Sequence, residues 1–320
     1  MKRCDVCGTL NFKKNIYCTH CGCSILCENI CPFCGYINND ADSICKNCHK
    51  SIAIDNFDIL FREHNLSLMV NNKLSDEEYV DILNRIFKKL DYLSNEHASP
   101  KEKILEMVGA FTEVFPKSSG STLGEYSTKV IFYDDRLDES IQIATLIHEL
   151  THFLLFDITL EILCNILKVQ STPILEIFVD SFLKLPENEL FNEYCAHCVE
   201  NRFMPHEYQN FESFNQCVKK LSLDDGDLFE LKELGKSYAV DIIHYLQKYI
   251  DSDLRKAISL QFKKDLLTPD YIDFESEVNI LSIFDKNKLL VGLMTLYFVS
   301  LYNNEESRNE LNNLKRKFMK

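Results

Sequence analysis

The fold turns on HELTH, residues 148–152, which lies inside the apolar run ATLIHELTHFLLF, residues 144–156. Two histidines four apart stand one above the other on a helix, so both rings can reach one ion. Glu149 lies about 100° round the helix from His148, beside the open position of such an ion. There it can hold a zinc-bound water and accept its proton. Ile143, Ala144, Ile147, Leu150, Phe153, Leu154 and Leu155 surround this trio with apolar side chains. The helix is therefore expected to be buried, and polar groups on a buried helix need partners or a task.

The chain outward from this stretch has 320 residues, 46% of them hydrophobic, and a net charge of −14. That length suits one sizeable core with small accessory units. Glycine (9) and proline (7) are sparse, which favours a mainly α protein with a small β element. The N-terminus MKRCDVC has no apolar signal region. The longest apolar run, LLVGLMTLYFVSLY at 289–302, is too short to span a bilayer. Fourteen cysteines without a secretion signal point to metal ligands in a reducing, cytoplasmic setting, with no membrane association.

Eight of those cysteines form a repeat. CDVCGTLNFKKNIYCTHCGCSI begins at Cys4 and CPFCGYINNDADSICKNCHKSI at Cys31. A shift of 27 residues superimposes Cys4, Cys7, Cys18 and Cys21 on Cys31, Cys34, Cys45 and Cys48, with Gly8 on Gly35 and Asn11 on Asn38. Each copy reads C-x2-C-x10-C-x2-C. Two CxxC turns close a tetrahedral four-cysteine shell, which has no open position and serves folding. About 25 residues cannot build a core, so zinc replaces one. The segment resembles a double zinc ribbon, expected over residues 1–26 and 27–54. Cys23 and Cys27 lie outside the repeat and can compete as ligands in the first ribbon. The first 54 residues carry six Lys/Arg against four Asp/Glu, so the negative charge lies in the rest of the chain. No basic footprint remains for phosphates, and the ribbons are expected to meet a protein partner, not nucleic acid.

The body begins near Asn56. Ser75 to Glu78 form a capping-box signature opening a helix with Tyr79, Ile82, Leu83, Ile86, Phe87 and Leu90 on one face. Ser99-Pro100 opens a second helix. The stretch PKSSGSTLGEYS at 116–127 reads as a break, and Val130 to Tyr133 as a strand able to pair with an extended peptide. Asp157, Thr172-Pro173 and Pro186 mark expected helix starts. Residues 55–221 are expected to form the main domain and 222–320 a helical extension.

A catalytic zinc needs a third ligand. A histidine six residues past His152 is excluded, because that position is Ile158. Glu176, Asp180, Glu187, Glu189 and Glu193 remain; Glu161 is too near in sequence. Glu193 is favoured because Ala196, one turn on, permits close approach of the two helices. Asp180 is a candidate to orient a ligand histidine. His206, Tyr194 and His197 are candidate oxyanion donors.

A strand, HELTHFLLF, then E-x-x-A ending in Phe203-Met204-Pro205 resembles the ImmA/IrrE-type metallopeptidases. The resemblance covers about residues 125–207. It implies a zincin-like, gluzincin-type body in which His148, His152 and Glu193 hold the catalytic zinc and Glu149 is the base. It also implies cleavage of an intracellular protein partner such as a regulator. With the two ribbons, three zinc ions are expected per chain. A non-catalytic adaptor acting through its ribbons is the alternative; an intact Glu149 speaks against it, since a structural site has no use for a base.

Overall fold

A computed structural model describes residues 2–3, 9–11, 20, 36, 38, 45–49, 60, 63–71, 74–93, 99–117, 123–127, 129–221, 223–269 and 278–318. Cys4, Cys7, Cys18, Cys21, Cys31 and Cys34, with Cys23 and Cys27, lie outside the described residues. The described chain is mainly helical with one three-stranded sheet and a two-stranded ladder, and it divides into two compact units. One comprises residues 1–88, 157–182 and 283–320; the other comprises 89–156 and 183–282. The units interleave in sequence.

In the first unit, strands β1 (Lys2–Arg3) and β2 (Leu10–Asn11) pair antiparallel, Lys2 opposite Asn11, and so bracket Cys4 and Cys7 in sequence. The second CxxC of the other repeat forms a tight turn. The backbone N–H groups of Asn47 and Cys48 point at Cys45 Sγ from 3.4 and 3.5 Å. Asn38, buried, accepts from the Lys46 N–H at 2.8 Å and donates to the Tyr36 carbonyl at 3.0 Å. That is a physical reason for asparagine at this position of the repeat: its amide ties together two stretches of backbone.

Helix α1 (Glu63–Asn71) precedes α2 (Asp76–Phe87) in this unit. Ser75 and Glu78 make the full capping box, and Tyr79, Ile82, Leu83, Ile86 and Phe87 are buried as the period requires. Leu90 falls beyond the helix in a 3-10 turn and is only half-buried.

The second unit holds α3 (Pro100–Phe111), capped by Ser99 and Glu102. Strands β3 (Glu113–Pro116), β4 (Gly124–Ser127) and β5 (Val130–Tyr133) follow, in the order β3-β5-β4. β3 is parallel to β5, and β4 antiparallel to it. Two expectations change here. The stretch 116–127 contains a strand, β4, and Val130–Tyr133 is the central strand, with both edges taken. Among the described residues β3 and β4 are the edge strands, so an added peptide strand would pair with one of them.

Helix α4 (Glu139–Leu167) carries HELTH and runs 29 residues without interruption. Asp157 is therefore inside a helix, not at the start of one. The apolar run continues through it on both sides, and its contribution outweighs one capping residue. The start of α4 is held by Asp265, whose carboxylate accepts the Ser140 N–H at 2.9 Å. Among the described residues this helix alone is long and apolar enough to cross a membrane, and 83% of its apolar window is buried. Helix α5 (Pro173–Leu183) opens at the expected proline. Helix α6 (Pro186–Phe203) opens at Pro186 and stops before Pro205. After it come α7 (Glu212–Lys220), α8 (Asp225–Leu246) and α9 (Ser252–Lys264) in this unit. In the first unit the chain ends with α10 (Ile283–Tyr302) and α11 (Glu305–Phe318).

Helices α6 and α8 meet at Gly235. A Cβ there would lie 2.5 Å from the Phe191 carbonyl oxygen and 3.2 Å from the Cys195 nitrogen, both backbone atoms that cannot turn aside. Gly235→Ala should therefore lower stability in urea unfolding by about 1–3 kcal/mol, the usual cost of overpacking. Helix propensity alone would raise it by about 1 kcal/mol, so the sign of the change decides between the two effects.

Candidate metal centre

His148, Glu149 and His152 project from α4, where Ile147, Leu150, Phe153, Leu154 and Leu155 around them are buried. Opposite them, α6 presents Glu193, His197 and Glu200, spaced four and three apart and hence on one face. His148 Nε2 lies 3.5 Å from Glu193 Oε2, and His152 Nε2 lies 3.5 Å from Glu193 Oε1. The remaining ring nitrogens are also held. His148 Nδ1 is 2.9 Å from Glu200 Oε2, and His152 Nδ1 is 2.8 Å from Asn192 Oδ1. Both acceptors lack a hydrogen when Glu200 is ionised and Asn192 presents its carbonyl. Each histidine therefore donates through Nδ1, which leaves Nε2, facing Glu193, to carry a proton or to ligate a metal ion.

The electrostatics point to a cation at this place. Burial opposes a charge on His148, yet the Glu193 and Glu200 carboxylates hold its pKa well above the ordinary histidine value. Burial also opposes ionisation of Glu193, but His152, His148 and Ser213 keep its carboxyl below the usual range. Glu200 is likewise pushed up by burial and pulled down harder by His148 and His197, to about 2. Buried carboxylates of this kind require a positive partner. A proton on imidazole is one solution and a metal ion another.

His197 widens the group. Its ring stands 4.8 Å from that of His148, and ligand atoms of His148, Glu193 and His197 all lie within 4.8 Å of one another. This buried group can hold a metal ion. Its Nε2 is 2.7 Å from Ser213 Oγ and its Nδ1 3.4 Å from Glu200 Oε2. Burial lowers its pKa, which favours a neutral ring.

Glu149 is buried at 9% exposure beside β4, and burial raises its pKa, with the His152 and His148 rings and the Tyr126 backbone N–H acting against that rise. A Cβ at Gly124 would sit 2.7 Å from Glu149 Oε1 and closer still to Thr145 Cγ2. Glycine is what lets β4 lie against this carboxylate. The raised value gives Glu149 the greater basicity that a proton acceptor needs.

Of the carboxylates proposed from sequence, Glu193 alone meets the histidines. Glu161 pairs with Arg85 at 3.0 Å, Glu176 accepts from Ser171 at 3.0 Å, and Asp180 lies by Tyr297. The residue orienting His148 is Glu200, not Asp180. The four- and three-residue spacing of Glu193, His197 and Glu200 is a signal in the sequence that could have found Glu200; no local signal marks Asn192 or Ser213. Cys195 and Cys198 turn away from the centre. Cys195 borders Gly235 of α8, and Cys198 lies near Lys232 and Lys236 of the same helix. Burial pushes the Cys198 thiol up to about 12. Of the candidate oxyanion donors, His197 reaches the centre, whereas the Tyr194 ring packs on Phe211 and Phe214.

Glu200 gives a pH test. Its folded pKa lies below the ordinary 4.5, so the stabilisation it supplies is present above 4.5 and lost as pH falls toward 2. The stability difference between wild type and Glu200→Gln, measured by denaturant titration, should shrink steadily across that window. A difference independent of pH would show that Glu200 is not ionised in the folded protein.

No family model matches the chain, and no curated protein or solved structure matches it.

Proposed function

We propose that the chain is a zinc-dependent endopeptidase acting on an intracellular protein partner, with His148, His152 and Glu193 as metal ligands and Glu149 as general base. One observation carries this reading: both Nε2 atoms lie 3.5 Å from the Glu193 carboxylate, with both rings locked from behind. Ligand atoms about 2.0–2.2 Å from a tetrahedral zinc are about 3.3–3.5 Å apart, so each histidine–carboxylate pair, His148 with Oε2 and His152 with Oε1, has a spacing that suits that ion. His152 is preferred to His197 as the third ligand. His197 Nε2 is engaged by Ser213, and its Nδ1 faces Glu200.

Bound there, a divalent ion would polarise a scissile carbonyl and make a water acidic. Glu149 takes the water proton on its carboxylate as the oxygen attacks the carbonyl carbon. It then delivers that proton to the amine as the C–N bond breaks. The outer edge of β4 suits an extended peptide, since β-strand addition there sets a substrate backbone beside Glu149. Resemblance to the ImmA/IrrE-type metallopeptidases, through HELTH, Glu193, Ala196 and Phe203-Met204-Pro205, supports the same reaction class.

The N-terminal repeat is read as two structural zinc ribbons that recruit substrate or partner. The N–H groups aimed at Cys45 Sγ support a thiolate at that position, because such donors stabilise an anionic sulfur. Metal analysis of freshly purified protein should give three zinc ions per chain; two or fewer would remove either the ribbons or the central site from this scheme.

Glu149→Gln should leave the central metal in place, since Glu149 is not a ligand, and should reduce peptide cleavage on the order of 10²–10⁴-fold. His148→Ala should lose both metal and activity. Mass spectrometry of fragments from an unstructured protein substrate reports cleavage. Equal fragment yield from Glu149→Gln and wild type would refute the mechanism.

A further inference from the structure

The central site is closed by a residue from a third helix. Ser213, in the first turn of α7, touches both the ligand Glu193 and the neighbouring His197. Its hydroxyl donates to Glu193 Oε2 in a very short contact, and His197 Nε2 approaches its oxygen at 2.7 Å. A hydroxyl has one proton and two acceptor sites. Ionised Glu193 can only accept, so the Ser213 proton goes there, and His197 must donate its Nε2–H to Ser213 Oγ. Ser213 thus bridges Glu193 and His197, while His197 Nδ1, 3.4 Å from Glu200 Oε2, makes no hydrogen bond to it.

We propose that Ser213 is a positioning residue for the metal centre, fixing the Glu193 carboxylate. The inference rests on the zinc reading above. Among the described residues, the side chain that anchors the carboxylate besides the imidazoles it faces is Ser213. Freed from it, Glu193 would regain rotamers that point away from the two Nε2 atoms. Outer-sphere partners of metal ligands typically contribute about 10–100-fold to metal affinity. Helix α7 thereby belongs to the site, although it contributes no ligand.

The test uses the full chain and zinc alone. Protein is dialysed against graded concentrations of a chelator, and retained zinc per chain is measured for wild type, His152→Ala, Ser213→Ala and Ser213→Thr. Zinc held by wild type but not by His152→Ala defines the central site. Ser213→Ala should release that ion at about 10–100-fold lower chelator activity, with unchanged circular dichroism, and Ser213→Thr should restore retention. If Ser213→Ala does not fold, Ser213→Val, close in shape to the threonine variant and without a donor, is expected to show the same loss. Retention by Ser213→Ala equal to wild type overturns the inference while leaving the central zinc intact. Failure of Ser213→Thr to restore retention also overturns it, because the hydroxyl is then not what matters. Equal zinc in wild type and His152→Ala at every chelator concentration overturns the central zinc and this inference together.

Discussion

The constraint on which the rest depends is the enclosure of two carboxylates, Glu193 and Glu200, against two imidazoles in an apolar interior. Ionised groups in such a place are stable only when matched by positive charge and fully hydrogen-bonded. His148 lies between the two carboxylates, with one nitrogen facing each. That arrangement fixes the distance between α4 and α6, the rotation of each about its axis, and the register in which HELTH faces the Glu193 stripe. A slip of one residue in either helix would move a charge into the apolar packing around it.

The surroundings serve that closeness. Gly235 allows α8 to lie on the backbone of α6, and Gly124 allows β4 to lie on Glu149. Both are places where a single methyl group would collide. The β-sheet is small, yet it positions the base: β5 is central, β4 hangs from it antiparallel, and the Tyr126 N–H reaches the Glu149 carboxylate. Asp265 fixes the start of α4, so the helix that carries two histidines is anchored at its first turn as well as along its apolar sides.

Where the sequence misled, long-range packing was the reason. Gly and Ser in 116–127 indicate a turn, but pairing with β5 draws four of those residues into a strand. Val130 to Tyr133 looks like an available strand until its two neighbours are placed. Asp157 has the chemistry of a helix cap, but an apolar helix already under way passes straight through it. Asp180 and Glu200 are equally plausible partners for a histidine by residue type; only the facing of α6 onto α4 selects Glu200.

The sequence by itself determined the local features. HELTH on one helical face, the capping boxes at Ser75 and Ser99, the prolines that open α5 and α6, and the repeat of cysteine pairs all follow from spacing and backbone chemistry. Glu193 was also within reach, because Ala196 one turn on permits close approach of its helix to the HELTH helix. Tertiary structure alone decided which groups meet across elements: Glu200 and Asn192 behind the rings, Ser213 on the carboxylate, Gly124 against Glu149. Those contacts join residues 20 to 52 positions apart, and no local propensity encodes such a distance. It is set by the packing of apolar helix faces, which brings the polar groups together as a consequence.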